Sequence, residues 1–322
     1  MSIAFVFPGQ GSQSVGMGLS LAKAFPSARA ALDEADAALG GGLLRLLAEG
    51  PEEELKQTAN TQPAILAVSI AAYRAFVECL DQAHPERASA ARLAAAYAGH
   101  SLGEYSALVA AGALSLGDAV RAVRSRGSFM QEAVPAGEGA MAAILSLAPE
   151  EVAAACAEAS AAEGKIVSPA NYNSPEQTVI AGHAPAVERA IANCKARGAR
   201  RAMPLPVSAP FHCALMAPVQ SRLREVLERL PIAAPRAPVW ANVTAQPNED
   251  PERVVPLLLE QVVAPVRWVE IVQGMARAGV DTLIELGPGK VLQGLARRID
   301  KSLRVVSIED EQSLREALGL FA

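Results

Sequence analysis

Histidine is scarce in this chain, with four residues among 322, so chemistry needing a proton carrier near neutral pH has few places to sit. Cysteine is equally scarce. Cys79, Cys156, Cys194 and Cys213 form no Cys-x-x-Cys pair and have no histidine at zinc-ligand spacing. No metal site is therefore expected, and reduced thiols of a cytoplasmic protein are the default. Aromatic side chains are only 4 % of the chain while alanine is plentiful, which suits helices packed closely over a sheet. Basic residues are not in excess, and a net charge of −5 argues against nucleic acid as the main partner. No unbroken run of 18 apolar residues occurs, so neither a transmembrane helix nor a membrane partner is expected. The apolar run Ile3 to Phe7 has no charged segment before it and no small-residue cleavage site after it. It reads as a first strand, not a signal peptide.

What the chain does have is Gly99-His100-Ser101-Leu102-Gly103, a match to G-x-S-x-G. In that pattern a serine sits on a strained turn between a strand and a helix, and small residues at both ends let the backbone turn sharply. The flanks agree. Leu93 to Ala98 reads as a short buried strand and Glu104 to Ala111 as a helix ending near Gly112. Three fixed positions in an Ala- and Gly-rich chain also match by chance, so the flanks carry the weight. Ser101 is the expected nucleophile.

Half of the residues are apolar, enough for a large core, and the length fits one large domain or a large domain carrying a smaller one. From Ile3 to about Ala133, strand and helix signals alternate. Helical patterns fall at Gly18 to Ala38, Gln62 to Leu80 and, from the start Ser115-x-x-Asp118, to about Ala133. Alternation of this kind predicts a parallel sheet covered by helices. Between residues 134 and 207 the signals change: strand 139–147, helix 149–162, strands 166–170 and 177–181, helix 184–197, strand 201–207. That β-α-β-β-α-β order is the ferredoxin-like arrangement, and it predicts an inserted α+β subdomain at 134–207. The larger α/β domain is then built from 1–133 and 208–322. In its second part, helices are expected at 214–229 and 268–278, and strands at 239–243, 282–286 and 304–308. Gly287-Pro288-Gly289-Lys290 opens a helix to Arg298, and a short helix ends the chain.

A serine hydroxyl needs a base within hydrogen-bond reach, and histidine is the usual one. His84 precedes a proline in a polar loop, His183 sits at a strand end, and His100 adjoins the nucleophile on a turn that sends neighbours in different directions. Elimination leaves His212, in the loop Ser208-Ala209-Pro210-Phe211-His212-Cys213, against the alternative of a satisfied structural histidine. An oxyanion needs donors, one of them the backbone N–H after the serine, Leu102. The glycine-rich turn at Gln10 offers a second, although composition does not separate it from an ordinary tight turn. Arg126 falls on the same helical face as Ala119, Ala122, Val123 and Met130. A guanidinium facing a core requires a carboxylate or phosphate partner. A structural salt bridge or a snorkelling stem satisfies that requirement as well as a substrate does.

Together these residues resemble a known family. Phe7-Pro8-Gly9-Gln10-Gly11-Ser12-Gln13, the block Gly99 to Leu108, Arg126-Gly127, Asn171-Tyr172-Asn173-Ser174-Pro175, Pro210-Phe211-His212 and Glu285-Leu286-Gly287-Pro288-Gly289 follow one another in the order seen in malonyl-CoA:acyl carrier protein transacylases. That family includes the acyltransferase domains of fatty-acid and polyketide synthases. Each block alone is weak, but six in order, spanning nearly the whole chain, are specific. The resemblance implies an α/β-hydrolase-like domain with a parallel central sheet and an inserted ferredoxin-like subdomain. It implies Ser101 as acyl acceptor, His212 as base, the N–H groups of Gln10 and Leu102 as oxyanion hole, and Arg126 as partner of the malonyl carboxylate. It implies a backbone carbonyl that orients the histidine, drawn from the stretch Ala264-Pro265-Val266-Arg267 and assigned here to Arg267. It makes Phe211 a substrate-binding residue that goes with malonyl, though a single methyl is worth only about 1–3 kcal/mol of discrimination.

The implied partners are malonyl-CoA and acyl carrier protein, with no bound cofactor and no metal, and the enzyme is expected to be a monomer. Because both partners are anionic, Lys195, Arg197, Arg200 and Arg201 are candidates for a basic patch, or equally for a solvated helix end. Two other readings remain at this point. A serine thioesterase would share the elbow, but its histidine usually lies near the C-terminus, whereas about a third of this chain follows His212. A non-catalytic docking subunit would have no use for Ser101, His212 and Arg126. The pathway served, fatty-acid or polyketide, is not written in these residues.

Overall fold

The computed structural model of the chain describes residues 1–83, 93–135, 137–207 and 209–321, so His84 and Ser208 lie outside the described residues. Ten strands among them form two sheets: β1 (Ile3–Phe7), β2 (Ala94–Gly99), β3 (Gly139–Leu145), β4 (Val167–Ser174), β5 (Gln177–His183), β6 (Arg201–Pro204), β7 (Val239–Trp240), β8 (Pro247–Asn248), β9 (Thr282–Leu286) and β10 (Arg304–Ile308). The first sheet has the order β10-β9-β1-β2-β7-β8, parallel except for β8, which closes the edge antiparallel to β7. Strand β1 is buried along its whole length, as a central parallel strand covered on both faces must be. Its residues divide by the two-residue period of a strand. Ile3, Phe5 and Phe7 enter the larger core, where Phe5 packs edge-on against Tyr73 and Phe76 at 5.6 and 6.1 Å. Ala4 and Val6 face a second core with Trp240, Trp268 and Ile271.

The helix Thr58–Ala83 runs through the larger core. By length and composition it would also cross a membrane, which a search for unbroken apolar runs does not detect. In this fold 78 % of its most apolar window is buried inside the protein. Two short helices that the sequence pattern does not predict, Leu43–Glu49 and Glu52–Leu55, follow the run Gly40-Gly41-Gly42.

The second sheet, β4-β5-β3-β6, is antiparallel throughout. The helices Pro149–Glu163 and Ala184–Ala196 complete it in the order β-α-β-β-α-β. Ala142, Ile144 and Ile180 face those helices, while Met141, Ala143 and Val179 face the first part of the fold. Strand β4 runs four residues past its expected end at Ala170, through Asn171-Tyr172-Asn173, because it pairs there with a second partner. Val266 donates to the Ala170 carbonyl and accepts from Tyr172 N–H, both at 2.9 Å, which ties the second sheet to the segment before Trp268.

Strand β7 is shorter than the expected span to Val243. Beyond Trp240 the chain turns, with Ala241 N–H donating to the Gln246 carbonyl, and Asn242 leaves the sheet for another duty described below.

Candidate active site

Strands β1 and β2 lie side by side and end at Phe7 and Gly99, so the turns that follow them meet at the carboxyl edge of the sheet. His100 N–H donates to the Phe7 carbonyl at 3.0 Å. A Cβ on Gly9 would stand 2.6 Å from the His100 carbonyl oxygen, so the Gln10 turn rests on the elbow backbone itself. The elbow depends on its two glycines. A Cβ on Gly99 would fall 1.9 Å from the Gly103 carbonyl, and one on Gly103 would fall 2.1 Å from the Phe7 carbonyl oxygen. Because the colliding atoms are backbone, neither turn can yield. Gly99→Ala is expected to cost about 3 kcal/mol or more, measured by denaturant unfolding; a loss within experimental error would contradict this geometry.

Ser101 has φ of +53°, in the left-handed region that side-chain-bearing residues avoid. A clip holds it there. Asn242 donates through Nδ2 to the Gly99 carbonyl at 2.7 Å and accepts at Oδ1 from Ser101 N–H at 2.7 Å. This is the duty that removes Asn242 from β7.

The Ser101 hydroxyl lies 2.7 Å from His212 Nε2, and His212 Nδ1 lies 2.8 Å from the Gln261 carbonyl oxygen. A carbonyl only accepts, so Nδ1 carries the proton and Nε2 is left to accept from the serine hydroxyl. The expectation that Arg267 supplies this carbonyl is corrected. The Arg267 carbonyl accepts from Ile271 N–H at 3.0 Å within the helix Trp268–Arg277, and its guanidinium pairs with Glu270. Gln261 is instead the last residue of the helix Pro251–Gln261, where backbone carbonyls run out of intrahelical donors. Negative potential at that helix end also favours an imidazolium as it forms.

Burial, reinforced by the Arg126 charge, lowers the His212 pKa to about 3. An unfolded histidine titrates near about 6.5, so between those values the unfolded chain binds a proton that the folded chain refuses. This histidine therefore takes stability away as pH falls from 6.5 towards 3, and it stays a free base throughout. We expect the His212 ring resonances, assigned with a His212→Asn variant, to show no midpoint above about pH 5. A midpoint near 6.5 would contradict the buried, carbonyl-anchored ring.

Arg126 is 2 % exposed, on the helix Leu116–Glu132, which Ser115 caps by accepting from Asp118 N–H at 3.0 Å. Its Nη1 donates to Gln62 Oε1 at 2.8 Å and its Nη2 to Gln261 Oε1 at 2.9 Å, with the Ser101 hydroxyl 3.3 Å from Nη2. Its Nε–H has no partner, and among the described residues it forms no ion pair. This buried cation meets two neutral amides, the Ser101 hydroxyl and, at 5.7 Å, the Tyr105 ring, which leaves donor capacity facing an anion.

A cavity of about 520 Å³ opens here between the two sheets. Gln10, Ser101, Leu102, Arg126, Phe211 and His212 line it from one side, and Met141, Asn171, Asn173 and Val179 from the second sheet. The backbone N–H groups of Gln10 and Leu102 have no partner among the described residues, so both can serve a ligand oxygen. All the expected site residues but Arg267 thus line one cavity. Of the other histidines, His100 donates through Nε2 to Asn173 Oδ1 at 2.8 Å, and His183 accepts from Ile166 N–H at a strand end. The proposed basic patch is weaker than its residue types suggest, because Arg197 is paired with Glu151 and Glu158, while Lys195, Arg200 and Arg201 are exposed. The residues missed by sequence are Gln62, Asn242 and Gln261. For Gln261 a signal existed: Asp250-Pro251 is a capped helix start with proline at the first position.

Residues 4–314 match the family model described as acyl transferase domain. The malonyl CoA-acyl carrier protein transacylase of Escherichia coli (strain K12) is 49 % identical over 317 residues, which cover 98 % of this chain and 99 % of that protein. Among solved structures, an acyl carrier protein S-malonyltransferase from Vibrio cholerae superposes with a TM-score of 0.91 at 48 % identity, covering 98 % of this chain and all of that one. A malonyl-transacylase solved in complex with a type II PKS acyl-carrier protein superposes with a TM-score of 0.92 at 46 % identity, covering 99 % of this chain and 100 % of that one.

Proposed function

The chain belongs to the acyl transferase family, and from that membership and the cavity geometry we propose that it carries a malonyl group from malonyl-CoA to the phosphopantetheine thiol of acyl carrier protein. The Ser101 hydroxyl attacks the thioester carbonyl while His212 Nε2 takes its proton. The N–H groups of Gln10 and Leu102 hold the oxyanion. The tetrahedral species expels the CoA thiolate, which receives the proton from His212, and a malonyl-serine ester remains. The carrier thiol then gives its proton to His212 and attacks the ester, and collapse returns that proton to Ser101. Throughout, the Gln261 carbonyl keeps the imidazole in the tautomer the cycle needs.

The observation that carries this reading is Arg126, buried, unpaired by any carboxylate among the described residues and 3.3 Å from the Ser101 hydroxyl. It fits an acyl group with a free carboxylate, and Phe211 lines the same cavity. A thioesterase would share the elbow, yet a hydrolase has no use for this cation. We read residues 134–207 as a ferredoxin-like unit inserted into an α/β-hydrolase-like domain of 1–133 and 208–322. The parallel order of the first sheet and the antiparallel β-α-β-β-α-β of the second support that division. We also read the enzyme as a cytoplasmic monomer serving fatty-acid synthesis. The test is CoA release from malonyl-CoA, with and without phosphopantetheinylated carrier protein. Release beyond one equivalent per enzyme should require the carrier thiol; sustained release of free malonate without it would favour the hydrolase.

A further inference from the structure

Two glutamates of this fold are buried near functional backbone, and they differ in kind. Glu285 is accounted for by capping: it accepts from the N–H groups of Leu292 and Gln293 and from the Ser307 hydroxyl, at 2.8 to 3.0 Å, at the start of the next helix. Glu104 caps nothing. It follows Gly103 on the elbow helix, is 4 % exposed, and burial pushes its carboxyl up to about 7. Its Oε2 accepts from Gln261 Nε2 at 2.8 Å and from Asn242 N–H at 3.0 Å. It therefore meets both residues that organise the site, the one that clips the elbow and the one that anchors the histidine.

The Gln261 side chain joins three groups. Nε2 donates to Glu104 and, at 2.9 Å, to the Ser101 carbonyl, while Oε1 accepts from Arg126. A flipped amide would set its N–H groups against the Arg126 donors and its oxygen against two acceptors, so only one orientation satisfies every partner. We propose that Glu104 is a positioning residue that locks the Gln261 amide with its oxygen towards Arg126, and so fixes the guanidinium for the carboxylate of the incoming acyl group. This rests on the malonyl-clamp reading of Arg126. Glu104 acts on selectivity for carboxylated acyl groups, because the main-chain carbonyl that serves His212 is held separately by its helix.

Distance is the lever for a test. Gly103 lies against the Phe7 carbonyl, so the helix cannot slide to compensate for a shorter side chain at 104. Glu104→Asp withdraws the acceptor from Gln261, whereas Glu104→Gln keeps an acceptor oxygen in place. Initial rates of malonyl and acetyl transfer to carrier protein are compared for both. Glu104→Asp should lower the malonyl-to-acetyl ratio about tenfold, as misplaced binding groups do, and Glu104→Gln should restore it to within about twofold. Gln261→Leu, which keeps the main-chain carbonyl but loses Oε1, should lower the ratio as Glu104→Asp does. Equal losses of both activities in Glu104→Asp, or an unchanged ratio in Gln261→Leu, would overturn the proposal. Arg126→Ala in the same assay separates the two failures. If it leaves the ratio intact the clamp itself is wrong, and if it alone collapses the ratio only the positioning role is wrong.

Discussion

Replacing Ser101 by alanine is expected to lower malonyl transfer on the order of 10⁵-fold, the scale seen when a nucleophile that acts as a unit with its base is removed. The loss follows from geometry. Without the hydroxyl 2.7 Å from Nε2, His212 has only water to activate, and no ester can form to part CoA release from carrier attack. Binding should survive, because Arg126, Gln10 and Leu102 are untouched and the cavity gains only the room of one oxygen. Malonyl-CoA should still bind the Ser101→Ala protein, read by calorimetry, with the affinity falling when Arg126→Ala is added. A variant that keeps more than about a hundredth of the parental rate would show that another group accepts the acyl chain.

Arg126→Ala carries the second largest effect, and its signature is selectivity. Truncating one member of a buried charge-assisted pair costs about 3–5 kcal/mol, or roughly 10²- to 10⁴-fold, when the other member is a fixed charge left behind. Here the stranded charge is the malonyl carboxylate, so kcat/KM for malonyl transfer should fall by that factor. Acetyl transfer should fall by less than about tenfold, because the acetyl group presents nothing for the guanidinium to meet. Removing Arg126 also removes a positive charge that depresses the His212 pKa, so the imidazole should become more basic in the variant. Equal losses for malonyl and acetyl, measured with the same carrier protein, would end the clamp reading.

These residues differ in how openly the chain declares them. Ser101 stands in a spacing that, between a strand and a helix, fits a sharp turn, and the colliding Cβ positions at Gly99 and Gly103 are the physical content of that spacing. Arg126 betrays itself by lying on an apolar helical face. His212 emerges because so few histidines compete with it. Gln261 and Asn242 act through an amide and a main-chain carbonyl, groups that every chain has in quantity, so residue type says nothing about their roles. The helix that ends at Gln261 has a legible start at Asp250-Pro251 but carries Pro256, a breaker that it accommodates in its second turn. Arg267 rested on the resemblance alone, since no local pattern marks which main-chain carbonyl meets a distant histidine. The β-α-β-β-α-β order at 139–204 was legible, since proline starts and glycine stops punctuate it. The bridge from Asn171 to Val266 was not, because pairing across distant segments leaves no local trace.

The central claim is that Ser101 holds the malonyl group as an ester between two thiols. Its most direct test is the intact mass of the protein within seconds of mixing with malonyl-CoA, before and after a chase with phosphopantetheinylated carrier protein. The account predicts one added malonyl group, absent from Ser101→Ala, that disappears as the carrier protein gains the same mass. An adduct that forms without Ser101, or one lost to water as fast without the carrier as with it, would contradict it.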